Sequence, residues 1–515
     1  MVGGRVEGSE VRANVNHKRA QLSLVLLAVF LHLPALFYPD GASHSSVYNY
    51  IWTTQFAEAF ASGEFYPRWF PQSFEGLGGP TFYFYPPLTY WVSGSIAASG
   101  LSATVANVIA AMMFSAVSGL MMYRWLRPQT PHALLGSLAY MAAPYHLYDF
   151  YVRGALAEYA SFMWPPLIVM AIRNLRGARS IAALAAAYAG LLITHLPVAL
   201  LATVFLIVPY GIKTFLDDRR VLIPGLVAGV LGIGLACFYL VPALQLQGAI
   251  STDLLWSDYY KPATWFPWNR PYISYLLGIP ALALALIVFG AAIRGYWGAA
   301  TALTAAASIG LIPFIWDIHL LAQVQFPWRL LGLVEFTAII ALVLKPQMTP
   351  LLKLGFAIAI LPVTMFSVAA IATLRTPMDM ALVENKRPDA PEYLPRGIDK
   401  RGITGTQRIP NLDVFAGISR NAAITVTQPG PIVMGRADFP IWQVMHKGRE
   451  IPHSGPLISF NATEPGVYTI ERKTLPSETL GWAVSSLALA ILALLWAFAR
   501  RFDALFAHGY DQPVG

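Results

Sequence analysis

The chain reads as an α-helical polytopic membrane protein of about 12 transmembrane helices, with a small extracytoplasmic β-rich domain near the C-terminus. Three observations predict that class. Only 12% of the 515 residues are charged and 56% are hydrophobic, whereas about a quarter of the residues in a soluble domain are charged. Apolar runs of roughly 20 residues, enough to cross a bilayer, recur along the chain. Between residues 375 and 475 these runs stop, and charge, Pro, Gly and short period-two segments replace them.

Runs of spanning length lie near 20–38, 103–125, 132–148, 158–174, 179–195, 196–213, 221–246, 273–293, 297–316, 328–345, 350–373 and 478–499. The stretch from Pro86 to Gly100 is a further candidate, and the charges decide its place. Kept on the outer side, it leaves Lys or Arg at every inner helix end: Arg19, Arg124, Arg173, Lys213, Arg294, Lys345 and Arg500. That is the distribution the positive-inside bias demands. Counted as a span, it would move most of those charges outside. The reading is therefore a multi-pass plasma (inner) membrane protein with both termini cytoplasmic. It has a tail at 1–19, a transmembrane domain at 20–374 with a long outer loop at 39–102, a β-sandwich-like domain at 375–475, and a final helix and tail at 476–515. The net charge of +8 then reflects inner loop ends facing the lipid bilayer and not a nucleic-acid partner. Cys237 is the only cysteine and excludes an internal disulfide framework. The first apolar run lacks a small-residue cleavage site and reads as a retained helix.

The outer loop opens with Tyr38-Pro-Asp-Gly-Ala-Ser-His44. From His44 to Phe60 the apolar spacing predicts an interfacial amphipathic helix. Gly/Pro turns with interleaved aromatics follow, and a loop this long is more often functional than idle. In the β-rich segment, Ile441–Ile451 predicts a hairpin turning at Lys447-Gly448.

Ionisable groups near the hydrocarbon boundary are costly unless paired or hydrated, which makes them functional candidates. On the outer side these are Asp40 and His44; Asp149, Arg153 and Glu158; and His195. Asp40 fits either a catalytic acid or the cap of the following helix. Asp149 and Arg153 are spaced for a helical ion pair, and His195 in Thr194-His-Leu-Pro fits packing as well as ligation. Arg68 and Arg329 sit among aromatics, suited to a phosphate through a planar fork or to an interfacial girdle. An Asp/His set could hold a divalent cation, though no spacing specifies one.

Gly78-Gly-Pro-Thr-Phe-Tyr-Phe-Tyr-Pro-Pro-Leu, Arg153-Gly-Ala-Leu-Ala-Glu158, Thr194-His-Leu and Gln325-Phe-Pro-Trp-Arg329 resemble bacterial membrane proteins described as 6-pyruvoyl-tetrahydropterin-synthase-related. The wider arrangement resembles the GT-C superfamily of membrane glycosyltransferases, with Asp40 at its first acidic position and Asp149 or Glu158 at its second. The resemblance covers most of the chain. No pterin chemistry is implied, since no clustered zinc histidines are present. What it implies is sugar transfer from a polyprenyl-phosphate carrier to an extracytoplasmic glycan, lipid or protein acceptor, with inversion. Asp40 would be the base. Arg153, Arg68 or Arg329 would stabilise the leaving phosphate, and His44 and Glu158 would orient hydroxyls. Tyr83 and Tyr85 would stack on the sugar or guide the lipid. Asp40 lacks the adjacent second carboxylate of several GT-C groups, which leaves metal dependence open. The rival classes are a lipid-linked saccharide transporter and a non-catalytic envelope binding or scaffold protein.

Overall fold

The computed structural model describes residues 3–269, 295–345, 376–386, 388–398, 422–499 and 501. The expected spans at 273–293 and 350–373 lie outside the described residues, as do residues 399–421 of the expected β-rich domain.

The molecule is mainly helical. Among the described residues, five helical stretches are long and apolar enough to cross a membrane: Asn16–Phe37, Ala103–Leu126, Leu196–Asp217, Arg219–Ala249 and Pro476–Ala497. The first lies within α1 (Gly3–Phe37). Residues 39–102 follow with α2 (Ser46–Ala61), α3 (Thr81–Phe84) and α4 (Leu88–Ala98), and α5 (Ala103–Leu126) is the second of the five long apolar stretches.

Proline breaks the next two expected spans into short pieces. Helix α6 (Ala133–Met141) stops before Ala143, which is extended (ψ 141°) because Pro144 disfavours a helical residue ahead of it. Pro144 then starts α7 (Pro144–Tyr148), where its missing N–H costs nothing. A π-helical turn, Asp149–Arg153, leads to α8 (Leu156–Ser161) and α9 (Trp164–Arg173). Helices α10 (Ala178–Leu192) and α11 (Leu196–Ala202) meet at His195, and α11 continues through a second π turn into α12 (Val208–Asp217). Helix α13 (Leu222–Leu246) then packs between α10 and the final helix Pro476–Ala497.

The expected interfacial helix is instead walled in. Helix α2 packs on α4 and α5 and buries Asn49, Trp52, Thr53, Gln55 and Phe56. Trp52, Phe56, Phe82 and Tyr90 form an aromatic core whose rings meet mostly edge to face, the arrangement their quadrupoles favour. The stretch 376–398 closes over this core. Asp389 accepts from Trp52 Nε1 (2.9 Å), Ser73 Oγ (2.6 Å), Thr81 Oγ1 (2.7 Å) and its neighbour Ala390 N (2.7 Å).

The β-rich region consists of two antiparallel sheets sharing one core. Strands β1 (Ala422–Val426), β7 (Gly466–Arg472), β3 (Trp442–His446) and β4 (Arg449–Ile451) form one in that order. Strands β2 (Gly430–Ala437), β6 (Leu457–Ala462) and β5 (His453–Ser454) form the other. His446 pairs with Arg449, so Lys447 (φ 48°) and Gly448 (φ 76°) make the two-residue hairpin turn expected there. The core does not stop at the sheets. Trp69 of the 39–102 segment packs edge-on against Trp442 at 5.2 Å, and Ala437 N donates to Leu77 O at 2.9 Å.

Candidate functional site

The sequence Tyr145-His-Leu-Tyr-Asp-Phe-Tyr-Val-Arg-Gly places acid and base groups on one short, interrupted helical stretch. The turn at Asp149–Arg153 is π-helical, wider and underwound relative to an α-helix, and it ends at Gly154 in the left-handed region (φ 59°). A Cβ at Gly154 would lie 2.2 Å from Ser43 Oγ, so only glycine lets the two outer segments meet here.

This geometry gathers an ion-pair cluster. Arg153 Nη1 pairs with Asp149 Oδ1, reaches Glu158 Oε2 at 2.8 Å and donates to Tyr145 Oη at 3.1 Å. Arg329 Nε donates to the same Glu158 Oε2 at 3.1 Å, and Tyr145 Oη donates to Glu158 Oε1 at 2.7 Å. Both Glu158 oxygens are therefore used by protein donors. The carboxylate side chains are fully buried, whereas those of Arg153 and Arg329 keep 15% and 11% of their surface. What the cluster offers to an incoming molecule is guanidinium. One acceptor is left over: Asp149 Oδ2 is buried without a partner among the described residues. Such an atom costs free energy until a donor reaches it.

A third carboxylate, Glu335, anchors the start of the helix that carries Tyr145. Glu335 Oε1 accepts from Tyr145 N at 2.6 Å, and Oε2 lies 3.0 Å from His146 Nδ1. A carboxylate at the first turn of α7 satisfies an orphan N–H and complements the helix dipole.

Three further expected residues lie beside this cluster. His195 starts α11, its Nδ1 accepting from Val198 N at 3.3 Å, and α11 packs on the Pro327–Leu330 turn that carries Arg329. Tyr85 is half-buried, packed on Trp52 at 4.6 Å, and within electrostatic reach of Arg329, Glu158 and Arg153. His44 is exposed, and its backbone N–H donates to Val152 O at 3.1 Å. Partial burial, then the Arg153 charge, push the His44 imidazole below its usual range.

Asp40 does not cap the helix that follows it. Helix α2 begins after Ser45 with no side-chain cap; Ser46 Oγ instead bonds Ser43 N (2.9 Å) and Ser43 O (3.0 Å). The Asp40 carboxylate is exposed and has no hydrogen bond or ion pair with another described residue. Its backbone is held, since Asp40 O accepts from Met378 N at 2.8 Å and Ala42 N donates to Thr376 O at 2.7 Å. The capping role is thus set aside. A cavity of about 70 Å3 lies between this loop and Gly154, lined by Ser43, Ser46, Asn49 and Asn107. That is room for a few waters.

Arg68 and Tyr83 belong to a different cluster. Pro242 in α13 has no N–H, which leaves the Phe238 carbonyl without its helical donor. Arg68 Nη2 supplies one at 2.8 Å. Its Nη1 lies 3.4 Å from Glu478 Oε1, the oxygen that also takes Tyr83 Oη (2.9 Å) and Arg472 Nη2 (2.6 Å). These contacts tie the 39–102 segment, the sheets and the final helix together. Arg68 and Tyr83 thus sit in a joint between parts of the chain, with no bond to Glu158, Arg153 or Arg329.

Among the described residues, no three His, Cys, Asp or Glu side chains gather as a metal site. Asp149 and Glu158 are already taken by arginines, so a divalent cation does not fit there. Tyr145, His146, Glu335, Asp389 and Glu478 are participants that the sequence reading passed over. Glu335 carried a usable signal, being a lone carboxylate within the apolar run Leu331–Val343. Comparison of the whole chain with protein-family models and with curated proteins yields no match.

Proposed function

We propose that the protein is a membrane glycosyltransferase that moves a sugar from a polyprenyl-phosphate carrier to an extracytoplasmic acceptor, within a GT-C-like bundle of about 12 spans. The observation that supports this most is the convergence of Arg153 and Arg329 on Glu158, next to the loop that bears Asp40 and His44. In this reading Glu158 is a positioning residue. It neutralises and aims two guanidinium groups whose remaining surface takes the carrier phosphate.

The reaction is a single displacement. The acceptor oxygen forms a bond to the anomeric carbon as the bond from that carbon to the phosphate oxygen breaks, so the configuration inverts. The acceptor proton passes to the exposed Asp40 carboxylate. Negative charge building on the phosphate is met by Arg153 and Arg329, which need no reorganisation because the buried carboxylates already hold them. Tyr85, half-buried beside the cluster, supplies a face for stacking. His44, kept neutral by its surroundings, orients the acceptor.

One observation favours a second reading. The charges of Asp149, Glu158, Arg153 and Arg329 satisfy one another, as they would in a non-catalytic envelope protein whose sheets do the binding. The separating experiment uses the protein in lipid vesicles with radiolabelled sugars on polyprenyl phosphate. Transfer that falls sharply in Asp40→Asn and Arg153→Gln supports the enzyme. Vesicles that carry the intact donor across point to a transporter. Inactivity with every donor, alongside loss of function on deletion of 422–472, points to a binding protein.

A further inference from the structure

A large cavity lies at the opposite end of the helix bundle from Asp40 and Glu158. It encloses about 830 Å3. His17 comes from α1, Arg124 and Arg127 from the end of α5, Arg173 from the end of α9, Arg179 from the start of α10, and Trp496 from the end of the final helix. Each of these residues sits where its helix enters or leaves the bundle on the same side.

Two features show that this space is built for a ligand of particular chemistry. The first is charge. Four arginines line it and no Asp or Glu does, and none of the four has an ion pair with another described residue. Arg176, just outside, does have one, with Asp218 at 3.7 Å. The second is unmet hydrogen bonding. His17 Nδ1 and Trp125 Nε1 belong to lining residues, and both atoms are buried without partners among the described residues. Trp125 as a whole is only 2% exposed. A buried donor without an acceptor is rare enough in native proteins to require an explanation.

Apart from Gln21, Asn174 and Ser180 the remaining lining is largely apolar, Leu120, Leu167 and Met170 among it. Arg179 lies over the Trp496 ring at 5.9 Å, and an indole at this depth is what a lipid–water interface favours. A free anion would use the cationic rim and leave the apolar floor unexplained. An amphipathic anion uses both. We infer that this cavity holds an anionic phospholipid of the leaflet facing the basic end of the bundle. Its phosphate would lie among Arg124, Arg127, Arg173 and Arg179, with acyl chain against Leu120, Leu167 and Met170. Basic pockets between membrane helices have this use on the cytoplasmic side, where anionic lipid is enriched.

The test is thermal unfolding of the purified full chain in neutral detergent. Phosphatidylglycerol, phosphatidylcholine or inorganic phosphate is added to the wild type and to R124Q/R173Q/R179Q. Phosphatidylglycerol should raise the wild-type midpoint by at least ~3 °C, which a ligand at many times its Kd produces in a protein of this size. Phosphatidylcholine should not, and the triple variant should lose the increment. Arginines that serve only their own helix ends would lower the midpoint while leaving the phosphatidylglycerol increment intact, and that result overturns the assignment. So does an equal rise with inorganic phosphate, which identifies a free-anion site. If the triple variant does not fold, native mass spectrometry of Arg173→Gln replaces it. Retained phosphatidylglycerol should then be several-fold lower than in wild type, and equal retention rejects the site.

Discussion

Arg329 donates from Nε to the Glu158 oxygen that Arg153 Nη1 also reaches, at 3.1 Å and 2.8 Å. The two arginines come from segments far apart in the chain, one in a π turn and the other in a 3₁₀ turn. A single buried carboxylate therefore fixes the relative placement of two cations. Removing it leaves both without their shared partner. Glu158→Gln should cost about 3–5 kcal/mol, the range for breaking a buried ion pair from one side. Thermal unfolding in detergent checks this, and a loss below ~1 kcal/mol would show that the arginines re-pair with Asp149 alone.

Arg153 and Arg329 should not tolerate lysine. Arg153 reaches Asp149, Glu158 and Tyr145 through one nitrogen, and its side chain keeps 15% of its surface exposed. A lysine ammonium can keep an ion pair but not the planar fork. Arg153→Lys should fold, with its unfolding midpoint within a few degrees of wild type. It should bind a short-chain polyprenyl phosphate at least ~10-fold more weakly, a difference of about 1.4 kcal/mol. Tryptophan fluorescence titration measures it. Unchanged affinity would remove Arg153 from the phosphate site.

Gly154 tests the junction between the two outer segments. An alanine there must hold a left-handed backbone, costing about 1–2 kcal/mol. It must also displace Ser43, whose Oγ lies 2.2 Å from the added Cβ. Gly154→Ala should lower stability by more than the backbone term alone. Pairing it with Ser43→Gly should return part of the loss, a coupling that a double-mutant cycle reads directly.

Asp389 gives a pH signature. Its four donors favour the ionised form, but burial outweighs them and pushes the carboxyl above its usual range. The folded state therefore binds a proton more tightly than the unfolded state, so this group's contribution to stability falls as pH rises from about 4 towards its folded pKa. Asp389→Asn lacks that slope. Relative to wild type, the variant should gain stability as pH rises from about 4 to about 7. Unfolding midpoints across that range decide it; a variant that gains as pH falls would contradict the assignment.

The parts legible in the sequence were those fixed by local rules. Lys447-Gly448 between period-two segments specifies a two-residue hairpin turn, and the turn is there. Asp149, Arg153, Glu158 and Arg329 stood out because charge at the hydrocarbon boundary needs a partner, and they partner one another. The same rule applied to Glu335, whose helical run was read only for its length. Tertiary pairing was not legible. The sequence could not separate Arg68 from Arg329, since both lie among aromatics and their partners are distant. Only the fold shows that Arg68 serves a carbonyl freed by Pro242. Asp40 fits a cap as well as a catalyst by sequence, but α2 starts six residues further on, beyond the reach of a capping side chain. Pro144 interrupts a run that hydropathy alone reads as continuous.

The central claim is that Arg153 and Arg329 hold a phosphate that leaves as a sugar is transferred. The most direct measurement is release of free polyprenyl phosphate from radiolabelled polyprenyl-phosphate hexoses and pentoses, by the full chain in vesicles with envelope glycan as acceptor. Wild type should release the carrier in step with label appearing on the acceptor. Arg153→Gln should lower that rate at least ~100-fold, a barrier increase of about 2.7 kcal/mol. Release that is equal in wild type and Arg153→Gln would contradict the account, as would label that crosses the membrane with its carrier bond intact.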